Sequence, residues 1–282
     1  MTTPPNIGIR WTIGNVSARG FEALRLSIWG AWRIFGPESV YTVCVNTIDV
    51  DRARQQTGGV PGPVMWHDAT RALPRFLAEV LDPSMAEGVG WKLAPLRCFP
   101  DHYEISLDND CILWSLPTAM QQWFEAGNIG QCLMAEDVRA CFGVLSDLCG
   151  PQPRNAGIRG LPPGFDFEVA LRKVLHRQGY GRTAPLKMTS ELDEQGLQTA
   201  ALSLTSPPLA VALSDVTICS PFYPHLQHLG RCGAHFVGLN ARHIPWKYYD
   251  RPADDWMTDH WNQHRRVLYE KVGLPPTAEA IA

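Results

Sequence analysis

Ile7-Gly8-Ile9-Arg10-Trp11-Thr12-Ile13 alternates apolar and other residues with a period of two, so Ile7, Ile9, Trp11 and Ile13 share one face of a strand. A polar turn, Thr12 to Gly20, follows and carries Gly14, Asn15 and Gly20. Phe21, Leu24, Ile28, Trp32 and Phe35 then recur at three- and four-residue steps, the apolar stripe of a helix, and Gly36-Pro37 stops it. Tyr41 to Val45 reads as a second strand leading to Asn46 and Asp49. A strand, a helix and a strand in that order predict a parallel sheet covered by helices, an α/β fold.

Outward from this opening, Gly58 to Pro63 reads as a surface loop. Leu73, Phe76, Leu77, Val80 and Leu81 have helical spacing, and residues 89–98 read as helical too. Tyr103 to Leu107 is a short buried strand. Ser115 and Pro117 suggest the N-cap region and first turn of a helix ending near Gly127. The Gly-, Pro- and Asn-rich stretch 150–164 reads as irregular. Asp166 is placed to cap a helix running to Gly179, and Ser190 opens another through Leu202. Leu209 to Cys219 is expected to be extended, His235 to Trp246 to be a polar loop, and Asp254 to Val272 to be a helix.

The residues richest in chemistry are Ile105-Ser106-Leu107-Asp108-Asn109-Asp110-Cys111-Ile112-Leu113. Two carboxylates two residues apart emerge where an apolar strand ends. Ligands of α/β sheets bind outside the carboxyl ends of strands. There both side chains can turn toward one hard cation, which relieves their mutual repulsion and leaves room for phosphate oxygens. The plain alternative is a solvated acidic turn.

Composition narrows the classes. Of 282 residues, 45% are hydrophobic and 19% charged, the balance of an ordinary globular protein. A formal net charge of −3 without a dense Lys/Arg stripe argues against a nucleic-acid partner. No signal peptide is expected from the opening residues, and no run of about 18 apolar residues predicts a membrane span. The eight cysteines form no CxxC pair and lie mostly in apolar runs, as reduced core thiols of a cytoplasmic protein would.

Five further segments stand in a suggestive order around the acidic pair. These are Trp91-Lys92-Leu93, Asn155-Ala156-Gly157, Ser190 to Gln195, His235-Phe236-Val237-Gly238, and Pro245-Trp246. This order resembles that of GT-A fold glycosyltransferases, most closely the family 8 group of glycogenins and bacterial lipopolysaccharide galactosyl- and glucosyltransferases. The resemblance spans roughly residues 7 to 250 and lies in motif order more than in residue identity. It implies one GT-A domain over residues 1–252, a Rossmann-type, mostly parallel sheet flanked by helices. Residues 253–282 would be a C-terminal helix and tail.

The resemblance also implies an activity: transfer of a sugar from a nucleotide-sugar, a UDP-sugar first, to an acceptor, with retention at the sugar carbon. Asp108, Asp110 and His235 would hold Mn²⁺ or Mg²⁺ between the diphosphate oxygens. Thr12, Gly14, Asn15 and Asn46 would line the nucleoside, and Lys92, Asn109, Asn155 and Gly238 would also contact the donor. The family's diphosphate-binding lysine is missing, so Arg242, or as second choice His243, would serve. The family's Asp-Gln-Asp motif reads Asp193-Glu194-Gln195 here; these three would position the acceptor or stabilise a cationic sugar.

Bland readings compete at several positions. Asp193 lies three residues after Ser190, the spacing of a capping box. Lys92 has the reading of a solvated helix residue, Asn155 that of a turn residue, and His235 a structural one. Trp256, Trp261 and Tyr269, interleaved with His264, Arg265, Arg266 and Lys271, fit a helix packed on the core better than a peripheral membrane contact. Among other classes, a haloacid dehalogenase-like phosphohydrolase would want a later Asp pair at a strand end. A GT-A-like nucleotidyltransferase would want a richer phosphate loop than Gly14 to Gly20. A nucleotide-sugar-binding protein without catalysis remains open. Neither the donor sugar nor the acceptor is written in these motifs.

Overall fold

The computed structural model describes residues 6–82, 90–127, 130–179, 186–240 and 244–275. The first strand, β1 (Ile7–Ile13), is as expected, but both of its faces are covered: Arg10, like Ile9 and Trp11, is fully buried. Ser17 caps α1 (Ala18–Phe35) by accepting from the Gly20 amide, and Gly36, in the left-handed region, ends it. β2 (Val40–Val45) follows, then α2 (Val50–Thr57), capped by Asp49, and β3 (Val64–Asp68).

Two expected helices shrink. Of the 73–81 pattern only one turn is helical, α3 (Arg75–Ala78), because Pro74 starts it and Leu81 is drawn into a bridge with Met188. Among the described residues of the 89–98 segment, only Gly90–Leu93 is helical, as a 3₁₀ turn. The segment beyond it is shaped by buried polar bonds instead. The Glu104 carboxylate accepts from the amides of Cys98 (2.8 Å) and Phe99 (2.6 Å), and Arg10 donates to the carbonyls of Pro95 and Lys92. These charged groups outweigh the apolar spacing of the segment.

β4 (Tyr103–Asp108) and β5 (Cys111–Leu113) bracket the acidic pair. In α4 (Thr118–Glu125), Pro117 occupies the N-cap rather than the first turn, and Asp215 accepts from the Thr118 amide at 3.1 Å. β6 (Leu133–Ala135) is followed by the largest departure from expectation. The stretch read as irregular contains β7 (Asn155–Leu161), buried at every position. The remaining elements are α5 (Phe167–Gly179), α6 (Glu191–Leu202), β8 (Leu209–Val211), β9 (Val216–Cys219), β10 (Gly233–Phe236), a short hairpin of β11 (Lys247–Tyr248) and β12 (Arg251–Pro252), and α7 (Ala253–Val272).

The strands form a mixed, mostly parallel seven-stranded sheet in the order β3-β2-β1-β4-β7-β6-β8. Its first four strands are parallel neighbours, the Rossmann-type half, and β7 runs antiparallel between β4 and β6. A three-stranded sheet, β5-β10-β9, lies beyond the end of β4. Helix α1 is buried on two faces: Phe21, Leu24 and Ile28 join the core of the large sheet, while Ala23 and Leu26 join a second core with Phe236, Met257, Trp261 and Tyr269. The aromatic residues Trp261 and Tyr269 of α7 are thus spent inside the protein, each 1% exposed, which favours the packed-helix reading. No helix among the described residues is long and apolar enough to cross a membrane.

Candidate metal and donor site

Asp108 closes β4 and Asp110 sits at the start of the chain's return into β5. β10 pairs antiparallel with β5, which sets His235 directly across from Cys111, one residue past Asp110. The amide of Phe236 donates to the Asp110 carbonyl at 2.9 Å and locks that register. His235 therefore belongs to a strand, not to a loop as expected; its position is set by sheet hydrogen bonds. Its Nε2 lies 3.4 Å from Asp108 Oδ2 and 3.2 Å from Asp110 Oδ1. One ligand atom from each of the three residues falls within 4.8 Å of the others.

This trio fits a divalent cation. Two carboxylates and an imidazole are a chemically sensible donor set for Mn²⁺ or Mg²⁺. His235 Nδ1 is buried without a hydrogen-bond partner, a costly state unless something else takes up the site's polarity. Charges inside the cluster compensate one another. Burial opposes charge on His235, but Asp110 and hydrogen bonds to Asp108 and Asp110 outweigh it and raise its pKa to about 9. Burial pushes Asp108 up, yet Lys92 and His235 prevail and hold its carboxyl below the usual carboxylate range.

Lys92 reaches the same cluster from the 3₁₀ turn: its Nζ donates to Asp108 Oδ2 at 2.6 Å. Burial works against its charge, but Asp108 and then Glu194 keep its pKa above the ordinary lysine value. It is paired with Asp108 rather than solvated, with its side chain a quarter exposed.

The other side of the site comes from β7. Because β7 runs antiparallel to β4, with Leu107 opposite Ile158, its first residues pass the end of β4 where the acidic pair emerges. Asn155 donates to Asp137 Oδ2 at 2.9 Å and accepts from the Gly157 amide at 2.8 Å. Gln195 accepts from the Ala156 amide and donates to the Cys141 carbonyl. Asn155, Asp137 and Gln195 thus form one network beside the His235 ring. Asp137 went unnoticed in the sequence, although it follows β6 by two residues and the strand-end rule applies to it as to Asp108.

The three residues expected to act together at the sugar separate. Asp193 is a cap: its Oδ1 accepts from Val144, its Oδ2 from Thr189 and Ser190, and the capping box with Ser190 is complete. Its carboxylate is taken up by backbone amides, the capping arrangement that its spacing from Ser190 allows. Glu194 points inward, buried beside Gln198, which donates to it and in turn accepts from Arg159 at 2.6 Å. Burial raises Glu194 to about 7, against the opposing pull of Lys92. Only Gln195 joins the network at Asn155.

At the far edge, Gly14, Asn15 and Asn46 meet. A Cβ on Gly14 would stand 2.8 Å from Asn46 Oδ1, and the Asn15 amide donates to Thr47 Oγ1 at 3.1 Å. Asn46 Nδ2 is buried without a hydrogen-bond partner. Thr12 pairs across β1 and β4 with Asp108, and its hydroxyl accepts from Arg10 at 3.2 Å. The amide nitrogen of Asn109 donates to the carbonyl of Gly20 (3.0 Å) and to Asn240. Asn240, unnoticed in the sequence, then donates to Asp110 Oδ2 at 3.1 Å, so Asn109 and Asn240 brace the second carboxylate. Gly238 adopts φ +90°, the left-handed turn out of β10 that a side chain would strain. Arg242 and His243 lie outside the described residues.

No family model matches the chain, and no curated protein matches it. Among solved structures it is similar to the galactosyltransferase LgtC in complex with donor and acceptor sugar analogues, at 12% identity and a TM-score of 0.44, over 96% of this chain and 98% of that one. It is also similar to mouse xyloside xylosyltransferase 1 in its apo form, at 11% identity and a TM-score of 0.47, over 76% of this chain and 87% of that one.

Proposed function

We propose that this protein is a metal-dependent glycosyltransferase that takes its sugar from a nucleotide-sugar, a UDP-hexose first among the candidates, and retains the configuration of the transferred carbon. The observation that carries the reading is the convergence of Asp108, Asp110 and His235 from two sheets at the end of β4. The sequence resemblance supplies the reaction class.

Departure of the nucleoside diphosphate is the difficult event, and a bound divalent cation would supply the charge that neutralises it. Asp108, Asp110 and His235 would hold that ion, with Mn²⁺ the first choice and Mg²⁺ the second. Lys92, already positive beside Asp108, would turn its ammonium to a phosphate oxygen once the ion takes over the carboxylate. Arg242 would meet the diphosphate from the segment after β10. Thr12, Gly14, Asn15 and Asn46 would line the nucleoside at the ends of β1 and β2. Asn155 and Gln195, oriented by Asp137, would face the donor sugar and acceptor hydroxyl. Asp193 and Asn109 act one step back, as a helix cap and a brace.

The test is calorimetric titration of UDP-glucose and UDP-galactose with and without Mn²⁺, together with donor hydrolysis. The double substitution Asp108→Asn, Asp110→Asn should abolish metal-dependent binding while far-UV circular dichroism stays unchanged. Undiminished metal-dependent binding by a folded double variant would remove the assignment.

A further inference from the structure

A second cluster of metal-ligating side chains stands on the other flank of β10, apart from the acidic site. Cys219 ends β9, and His260 and His264 lie four residues apart on α7. That spacing puts both imidazoles on one face of the helix, one turn apart. All three residues are buried, and one ligand atom from each lies within 4.8 Å of the others. Cys219 Sγ is 3.2 Å from His260 Nε2, and the two rings meet edge to face with centroids 4.8 Å apart.

The tautomer of His264 follows from its neighbour. Its Nε2 stands 3.0 Å from the Gln227 carbonyl, and a carbonyl only accepts, so Nε2 carries the proton and Nδ1 keeps the lone pair. Metal-ligating histidines are oriented in this way, the far nitrogen donating to a carbonyl. Burial disfavours the imidazolium at both positions, which leaves the rings neutral. A thiolate and an imidazole bound to one tetrahedral zinc, at about 2.3 and 2.0 Å, stand about 3.5 Å apart, close to the Cys219–His260 separation.

We propose that Cys219, His260 and His264 form a three-ligand transition-metal site that takes Zn²⁺. Sulfur with two imidazoles is a soft to borderline donor set, which selects Zn²⁺ over the hard cations suited to two carboxylates. The thiol loses its proton on binding, and that proton passes to solvent or buffer. The ion ties α7 to β9. Cys219 pairs in register with Phe236, the residue after His235, and Phe236 packs its ring against His260, Trp261 and His264. A metal here therefore stiffens the strand that presents His235 without touching the acidic cluster.

The test uses the full-length chain, stripped by chelator and titrated with Co²⁺, then Zn²⁺. The wild-type chain should develop a sulfur-to-cobalt charge-transfer absorption that saturates at one equivalent and is displaced by Zn²⁺, and Zn²⁺ should raise Tm. The Asp108→Asn, Asp110→Asn variant should show the same band, which separates this site from the acidic one. Cys219→Ser should lose the band, and His264→Gln should bind Co²⁺ about 10- to 100-fold more weakly. Absence of a thiolate band in folded wild-type protein overturns the proposal outright, whatever the variants do. So does an unchanged band in Cys219→Ser.

Discussion

Gly157 lies against the ring of His235: a Cβ on Gly157 would stand 2.3 Å from His235 Cε1 and 2.4 Å from Nδ1. The third residue of the Asn155-Ala156-Gly157 segment is thus small because the imidazole needs its space. Gly157→Ala should push the ring off the carboxylates, weakening Mn²⁺ binding by about 10- to 100-fold and destabilising the fold by about 1–3 kcal/mol. Calorimetry and urea unfolding would measure the two effects. Wild-type Mn²⁺ affinity in Gly157→Ala would show that the ring does not need this space.

Lys92 offers a sharper test of the site, because its two roles oppose each other. Its ammonium lies on Asp108 Oδ2, the oxygen that a cation would use. Lys92→Met should leave Mn²⁺ affinity equal or higher, while kcat for donor turnover falls by about 100- to 1000-fold if the ammonium stabilises the leaving phosphate, the range seen when one charge-stabilising contact is removed. A parallel loss of metal affinity and turnover would instead make Lys92 a structural partner of Asp108.

The pH dependence has a definite sign. Folded His235 titrates at about 9 against an ordinary 6.5, so its contribution to stability is fully present below pH 6.5 and is lost as pH rises through 9. Glu194 acts in the same direction, its contribution present below about pH 4.5 and lost as pH rises through 7. Without added metal the protein should therefore lose stability from about pH 4.5 to 7 through Glu194 and from about pH 6.5 to 9 through His235, on the order of 1 kcal/mol per pH unit in each window. Metal binding runs the other way: it needs neutral imidazole and displaces a proton, so Mn²⁺ affinity should climb up to about tenfold per unit between pH 7 and 9. Thermal shift with and without Mn²⁺ across this range should show the two curves diverging. Parallel curves would disconnect His235 from the metal.

Asp193 and Gln195 separate a structural from a functional reading of α6. Asp193→Ala removes the acceptor of three backbone amides and should cost about 0.5–2 kcal/mol or somewhat more, with KM and kcat near wild type at a temperature where the variant is folded. Gln195→Ala breaks the contacts to Ala156 and Cys141 beside the site and should lower kcat by about tenfold or more, the scale of one lost positioning contact. The split is read from steady-state kinetics with urea unfolding as the control.

Much of this architecture was legible beforehand because the signals were local. The apolar alternation of Ile7 to Ile13, the three- and four-step spacing of Phe21 to Phe35 and the Ser190–Asp193 box each depend on residues within a turn or a strand of one another. Asp108 and Asp110 were legible for the same reason, as carboxylates at the end of an apolar strand.

Asn155–Leu161 was hidden because its residues have little intrinsic preference for strand. Arg159 is there to reach Gln198, and Gly160 because Leu133 and Trp123 fill the space a side chain would need. Its extended form is imposed by β4 and β6 on either side, so propensity could not reveal it. Helical spacing misled at 73–81, where Leu81 is drawn into a bridge with Met188, and at 89–98, where irregular backbone is held by Arg10 and Glu104.

The sequence by itself determined the α/β class, the helices with caps, and the acidic pair as a point of chemistry, since each is decided by neighbours in the chain. Only the tertiary structure decided what surrounds that pair. It placed His235 opposite Cys111, turned Asn109 and Asp193 to bracing and capping, enlisted Asp137 and Asn240, and brought Cys219 to the two histidines of α7. Those relations depend on strand register and helix docking between distant segments, which are settled by burial and hydrogen bonding of the whole chain rather than by any run of residues within it.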